Sequence, residues 1–127
     1  MDYTQTWYHG SPFELTVLRV GSTITQRRDL ARIFSHKPMI VSIDDEGYIK
    51  HNGTQPGYLY VIDEVVAPED VEAHPRTTMG PGGEWLTHRE LRVRLLGVVE
   101  PQPDELLTEA ELEDLRQRIA ARRPDVQ

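Results

Sequence analysis

Gly57-Tyr58-Leu59-Tyr60-Val61-Ile62-Asp63-Glu64-Val65-Val66 is the stretch whose reading decides the fold. From Tyr58 it is aromatic, β-branched or aliphatic nearly throughout, which predicts a central strand covered on both faces. Pro56-Gly57 marks a turn before it, and Ala67-Pro68 leads out, with Pro68 suited to the first position of a helical turn.

Working outward, residues 39–43 and 48–51 are β-rich and flank the polar, glycine-ended Asp44-Asp45-Glu46-Gly47, a hairpin signature. Residues 26–33 read as a short helix with Leu30, Ile33 and Phe34 on one buried face, although Ile33-Phe34-Ser35 also reads as extended. Residues 5–9 read as a short strand, stopped before Pro12. On the other side, residues 84–87 resume extended structure after Gly82-Gly83. Leu91-Arg92-Val93-Arg94-Leu95 alternates apolar and charged residues, a half-exposed strand that continues to Val99. Beyond Pro101 and Pro103, Thr108-Glu109-Ala110-Glu111 fits a capping box, and a helix is expected to about Arg122 with Leu112, Leu115 and Ile119 as its apolar stripe. These elements predict a compact, β-rich α+β fold. Residues 1–100 form the domain, and residues 101–127 form a proline-linked C-terminal helix packed on it.

The chain has 127 residues, 38% of them hydrophobic, which suits one domain with a single modest core. Nine Gly and nine Pro indicate many turns. Cysteine is absent, which excludes disulfides and thiolate metal sites. No apolar run is long enough to span a bilayer, and residues 1–5 carry no basic region and no apolar signal core. A cytoplasmic protein with no membrane partner is the expectation. The formal net charge of −7 repels phosphate backbones and disfavours general nucleic-acid binding. The pairs Arg27-Arg28 and Arg122-Arg123, with Arg19 and Arg76, remain available to a single phosphate or pyrophosphate. His36, His51, His74 and His88 lack metal-ligand spacing, so no metal site is expected.

Chemistry concentrates in three places. Tyr8-His9-Gly10-Ser11 sets an imidazole beside bare backbone at a strand end, where a flat amide can approach the main chain of Gly10. The plainer alternative is a core aromatic, a half-buried histidine and a turn. His74 to Gly83 is a loop with two prolines and three glycines, too long and glycine-rich for a passive connection. Glu84 stands where that loop enters a strand, beside Trp85 and Leu86; the alternative there is a solvent-facing residue.

Taken together these residues resemble a family. Tyr8-His9-Gly10-Ser11 looks like the first motif of ADP-ribosyltransferases of the His-Tyr-Glu type. Gly83-Glu84-Trp85-Leu86-Thr87, followed by Leu91-Arg92-Val93-Arg94-Leu95-Leu96, looks like their glutamate-bearing strand. The layout is most similar to the small bacterial rifamycin-modifying members, over roughly residues 7–99. The resemblance implies a split-sheet fold that binds NAD as a substrate and transfers ADP-ribose to a protein or small-molecule acceptor. It implies that His9 hydrogen-bonds the ribose 2′-hydroxyl, that Gly10 holds the nicotinamide carboxamide through its backbone, and that Glu84 steadies the developing oxocarbenium ion. Ser11 completes the motif on the NAD side, and the loop before Glu84 would recognise the acceptor. The sequence departs from the pattern at the middle motif: Ile33-Phe34-Ser35-His36 offers no tyrosine, and Phe34 stands where one would stack on nicotinamide. In the rifamycin-modifying relatives the acid lies earlier, near the place of Glu69-Asp70, so these two compete with Glu84; as acids after Pro68 they also read as early helix-turn residues. A fold that has lost turnover and serves as a binding module is the alternative function. An RNA 2′-phosphotransferase activity fits less well, given the acidic charge.

Overall fold

The computed structural model describes residues 1–77, 79 and 82–121. Gly57–Ile62 forms the strand at the heart of a four-stranded antiparallel sheet. In chain order the strands are β1 (Tyr8–Ser11), β2 (Val17–Leu18), β3 (Thr23–Ile24), β4 (Val41–Ile43), β5 (Ile49–His51), β6 (Gly57–Ile62), β7 (Val71–Ala73), β8 (Trp85–Thr87) and β9 (Leu91–Val99). The helices are α1 (Arg28–Phe34) and α2 (Glu109–Ala121), with 3₁₀ turns at Pro68–Asp70 and Pro103–Glu105. The large sheet has the order β1-β6-β9-β2, a second has β3-β8-β7, and β4 pairs with β5. The two larger sheets meet at one rung, where Tyr8 and Thr25 exchange both backbone hydrogen bonds at 2.7 and 3.0 Å. The molecule is therefore a compact α+β fold of curled antiparallel sheets with a C-terminal helix.

Strand limits follow local chemistry. β1 starts at Tyr8 because the preceding residues turn: the Asp2 carboxylate accepts from the Thr4 amide and hydroxyl, and the Trp7 indole donates to the Tyr3 carbonyl. β6 stops at Ile62 because Arg89 draws the next residues away, binding the Glu64 carboxylate and the Val65 carbonyl and leaving Val65 86% exposed. The alternation in β9 breaks at a bulge. Leu59 pairs with Gly97 but Tyr60 with Leu95, so Leu96 is the extra residue and Leu95 is left 47% exposed. The hairpin forms as expected. The Asp44 carboxylate accepts from the amides of Glu46 and Tyr48, and Gly47 takes φ +89°.

One core gathers Trp7, Leu18, Ile24, Ile62, Val66, Val71 and Leu91 between the two larger sheets; another joins Leu30 and Ile33 of α1 to Ile49. Each such side chain contributes roughly 1.5–3 kcal/mol by leaving water. α1 lies unusually close to the sheet. A Cβ added at Gly10 would fall on the Ala31 carbonyl oxygen, and one at Gly57 on the Ser35 side chain. Thr108 and Glu111 form the expected capping box, each side chain bonding the other's amide at 3.1 Å. α2 is tied to the hairpin by the Leu107 amide on the His51 carbonyl and by the Lys50–Glu111 pair. Leu112 and Leu115 are half-buried but Ile119 is 44% exposed, so the stripe is covered only in its first half. The expected end at Arg122, like the pair Arg122-Arg123, lies outside the described residues. No described helix is long and apolar enough to cross a membrane.

Candidate functional site

A cavity of about 230 Å³ opens where the two larger sheets part, lined by Tyr8, His9, Gly10, Thr23, Thr25, Ala31, Phe34 and Glu84. Its origin is a single side chain. Tyr8 and Thr25 form a hydrogen-bonded pair, so the next such pair in an antiparallel ladder would set the Gly10 amide on the Thr23 carbonyl. That carbonyl is taken instead by the His9 ring, whose Nδ1 lies 2.7 Å from it. The imidazole thus stands between β1 and β3, and the strands separate beyond Tyr8. Backbone groups alternate in direction along a strand. The Gly10 N–H and C=O therefore point to the same edge as those of Tyr8, into the gap.

The Thr23 carbonyl can only accept, so His9 carries its proton on Nδ1 and leaves Nε2 as a lone-pair acceptor. Burial pushes the His9 imidazole below its ordinary value, against the opposing pull of that hydrogen bond. A neutral ring with one nitrogen committed and the other without a partner among the described residues suits an anchor for a hydroxyl donor.

Glu84 reaches the same cavity through register. Thr23 pairs with Leu86 and Ile24 with Trp85, so one step further brings Glu84 level with Thr25, which bridges to Tyr8. Three strands thereby link His9 to Glu84. The Glu84 carboxylate accepts from the Thr77 hydroxyl, and the Thr77 oxygen accepts from the Met79 amide at 3.1 Å. The Glu84 carbonyl holds the His74 amide at 3.0 Å, which closes the base of the loop. Of that loop, residues 78, 80 and 81 lie outside the described residues.

Four expected site residues, His9, Gly10, Phe34 and Glu84, share this one cavity. Ser11 does not line it; it is buried, and its hydroxyl oxygen accepts from the Phe13 amide at 3.0 Å. Glu69 and Asp70 do not line it either. Asp70 is held by Arg89 at 3.0 Å and accepts from the Ala67 amide, and these bonds hold its carboxyl below the usual range. Gly10 differs in its reason: the space a Cβ would need is filled by α1, so its lack of a side chain serves helix–strand packing, while its amide plane serves the gap. Sequence reasoning missed Tyr8, Thr23 and Thr25 as lining residues. The motif reading gives Tyr8 no role of its own and the plainer alternative makes it core; only the single rung to Thr25 reveals that it stands at the parting of two sheets.

Compared with protein-family models, curated proteins and solved structures, the chain matches none. Function has to be argued from the cavity's own chemistry.

Two other places hold polar groups in recessed or buried positions. A groove of about 580 Å³ runs between residues 3–7 and 61–66, but its Glu64 carboxylate is already bound by Arg89 and by the Arg92 amide. The second place is a pair of fully buried histidines, His36 and His51, whose rings stack at 5.7 Å and 16°. His36 Nδ1 donates to the Gln55 carbonyl at 2.7 Å, and His51 Nδ1 accepts from the Gly53 amide at 2.9 Å. The Nε2 of each has no partner among the described residues. His51 Nε2 lies 3.6 Å from Glu105, too far for a hydrogen bond, and Glu105 itself is bound by Arg32 through both carboxylate oxygens. No group of three or more histidines and carboxylates among the described residues is arranged to hold a metal ion.

Proposed function

We propose that the protein is an ADP-ribosyltransferase-like enzyme of split-sheet type that binds NAD⁺ in this cavity and transfers ADP-ribose to a protein or small-molecule acceptor. The observation that carries the reading is the convergence of His9, Gly10, Phe34 and Glu84, from three separate parts of the chain, on one cavity. The open N–H and C=O of Gly10 match the carboxamide of nicotinamide as acceptor and donor. Phe34, with Tyr8 also on the wall, offers aromatic surface for a flat ring. The free Nε2 of His9 accepts from a ribose hydroxyl.

The reaction breaks the bond between nicotinamide N1 and ribose C1′. The bonding pair leaves with nicotinamide, which departs neutral, and positive charge develops over C1′ and the ring oxygen. Glu84, fixed by Thr77, stabilises that charge more in the transition state than in the ground state. The acceptor nucleophile then bonds to C1′ and gives up its proton to Glu84 or to water. The sequence departure at the middle motif favours the second reading, a binding module without turnover on the same fold.

Calorimetric titration with NAD⁺ and an assay of nicotinamide release test both readings on wild type, His9→Ala and Glu84→Gln. NAD⁺ should bind, and Glu84→Gln should slow release about 10²–10³-fold with binding retained. His9→Ala should weaken binding. Absence of binding at millimolar NAD⁺ would overturn the enzyme reading. Binding without release, indifferent to Glu84→Gln, would select the module.

A further inference from the structure

Two imidazoles outside the cavity are shut in where α1, the hairpin and the C-terminal segment meet. His36 follows α1 and His51 ends β5; both are fully buried, with rings 5.7 Å apart and 16° from parallel. Their hydrogen bonds fix opposite tautomers. The Gln55 carbonyl can only accept, so His36 carries its proton on Nδ1 and its lone pair on Nε2. The Gly53 amide donates to His51 Nδ1, so His51 carries its proton on Nε2. Neither ring can take a second proton in place. On His36 it would enter at Nε2, which has no partner among the described residues. On His51 it would enter at Nδ1, set two donors against each other and break the bond to Gly53.

The charges around the pair do not offset such a proton. Arg32 from α1 and Glu105 from the 3₁₀ turn at Pro103–Glu105 bind each other through both carboxylate oxygens and cancel. The other charges of α1 are engaged elsewhere, Asp29 with Arg27 and Arg28 with the Tyr8 ring. Lys50 of β5 is turned to Glu111 of α2, and Lys37 lies over the Phe13 ring. Asp44 and Asp104 line a surface groove beside Arg32. Burial alone would raise the Glu105 carboxyl, but Arg32 and the Gln102 amide hold it at about 2, so it stays ionised where an imidazole titrates. One added proton therefore leaves the enclosed cluster with an uncompensated positive charge, and a second puts like charges on adjacent rings.

The lightest wall of this enclosure is the C-terminal segment. α2 buries no residue completely among those described. The segment is tied on by the Leu107 amide on the His51 carbonyl and by the Lys50–Glu111 and Arg32–Glu105 pairs. β6, in contrast, is paired along both edges, with β1 and β9. Elements with few buried contacts open before the whole fold does. We propose that the His36–His51 pair is an acid-operated latch: as the two rings take up protons, residues 103–121 lift off the hairpin while β6 and β9 stay paired. In the opened form the rings meet water, which solvates every nitrogen of an imidazolium. That form binds more protons than the closed one, so falling pH drives opening. Below about pH 6.5 the opening constant rises about tenfold per pH unit for each proton taken up. The latch makes no use of NAD⁺ and stands apart from the cavity assignment.

Hydrogen exchange of the full chain, followed amide by amide by NMR and corrected for the intrinsic pH dependence, tests this. The Leu107 amide is the closest probe, since it bonds the His51 carbonyl. Between about pH 7.5 and about pH 5.5 its protection should fall about ten- to a hundredfold and stay below that of β6 and β9 throughout. Protection that does not change with pH overturns the latch. So does protection equal in Leu107, β6 and β9 at each pH, which marks global unfolding instead. A double variant, His36→Asn with His51→Asn, keeps a donor for the Gln55 carbonyl and an acceptor for the Gly53 amide but has nothing to titrate. Its Leu107 protection should hold within about twofold over the same range; a persisting fall overturns the assignment to these rings. The ring signals of wild type decide the matter without a variant: imidazolium at His36 or His51 while Leu107 is still protected overturns the proposal.

Discussion

Histidines are sequestered in two regions of this molecule, and only one region opens onto space. His9 and the His36–His51 pair are alike in having one ring nitrogen fixed by the backbone. They differ in what lies beyond the other nitrogen. At His9 the ring parts two strands and faces a cavity that Glu84 and Gly10 also line. At His36 and His51 both rings are fully enclosed, and the nearest acid is consumed by an arginine. Perturbed, partnerless polar atoms are thus a poor guide here; the divided ladder is the better one. The enclosed pair knits α1, the hairpin and the C-terminal segment together.

That contrast can be attacked from either side. The largest effect is expected from Gly10→Ala, which drives a methyl into the Ala31 carbonyl and must lift α1 from β1. A loss of about 3 kcal/mol is expected by chemical denaturation, at the upper end for overpacking because the obstacle is backbone. A loss below about 1 kcal/mol would mean that the helix moves freely and that the cavity wall is soft.

Next in size is Glu105→Ala in the enclosed region. It strands the Arg32 guanidinium and removes the one acid beside His51. Breaking a buried pair costs about 3–5 kcal/mol, and about 2 kcal/mol is expected here since the Arg32 side chain is 26% exposed. The same variant should leave the NMR titration of His9 untouched. A shifted His9 would show that the two regions are coupled through α1.

The smallest effect is on pH dependence. Burial pushes the His51 imidazole below its ordinary value, although Glu105 pulls the other way. A ring that stays neutral in the fold but titrates near 6.5 when unfolded gives stability that is full above that pH and declines as pH falls below it. Glu105 acts lower down. Burial alone would raise its carboxyl, but Arg32 and the Gln102 amide outweigh burial and hold it at about 2. Its contribution is therefore present above about pH 4.3 and lost on the way down to about 2. Urea midpoints should show an upper decline that His51→Asn reduces in part, because Asn keeps an acceptor for the Gly53 amide and burial also lowers His9. A midpoint that stays flat from about pH 7.5 to about pH 5 would contradict the buried-histidine account.

The elements most legible in the sequence were those that local chemistry dictates. The hairpin around Asp44-Asp45-Glu46-Gly47 and the Thr108–Glu111 cap depend on neighbours within a few residues, and both are present. Strand ends were less legible, since β6 is ended by Arg89, 25 residues from the Glu64 it binds. The bulge at Leu96 was invisible because alternation alone carries no sign of an inserted residue. Among the residues that line the candidate site, His9, Gly10, Phe34 and Glu84 were nameable from residue type and order. Tyr8 as a wall and Gly10 as a packing glycine were not, because both follow from how α1 and β3 approach β1.

The His9–Thr23 contact holds two strand edges apart. A sheet interrupted by a side chain is a zipper held open by one tooth. The two edges on either side stay complementary, with the Gly10 amide and the Thr23 carbonyl each a natural mate for the other. Loss of the imidazole would therefore do more than delete a contact. It would let the strands anneal and erase the recess itself, so that at this position one ring is both part of the cavity's lining and the wedge that keeps the cavity open.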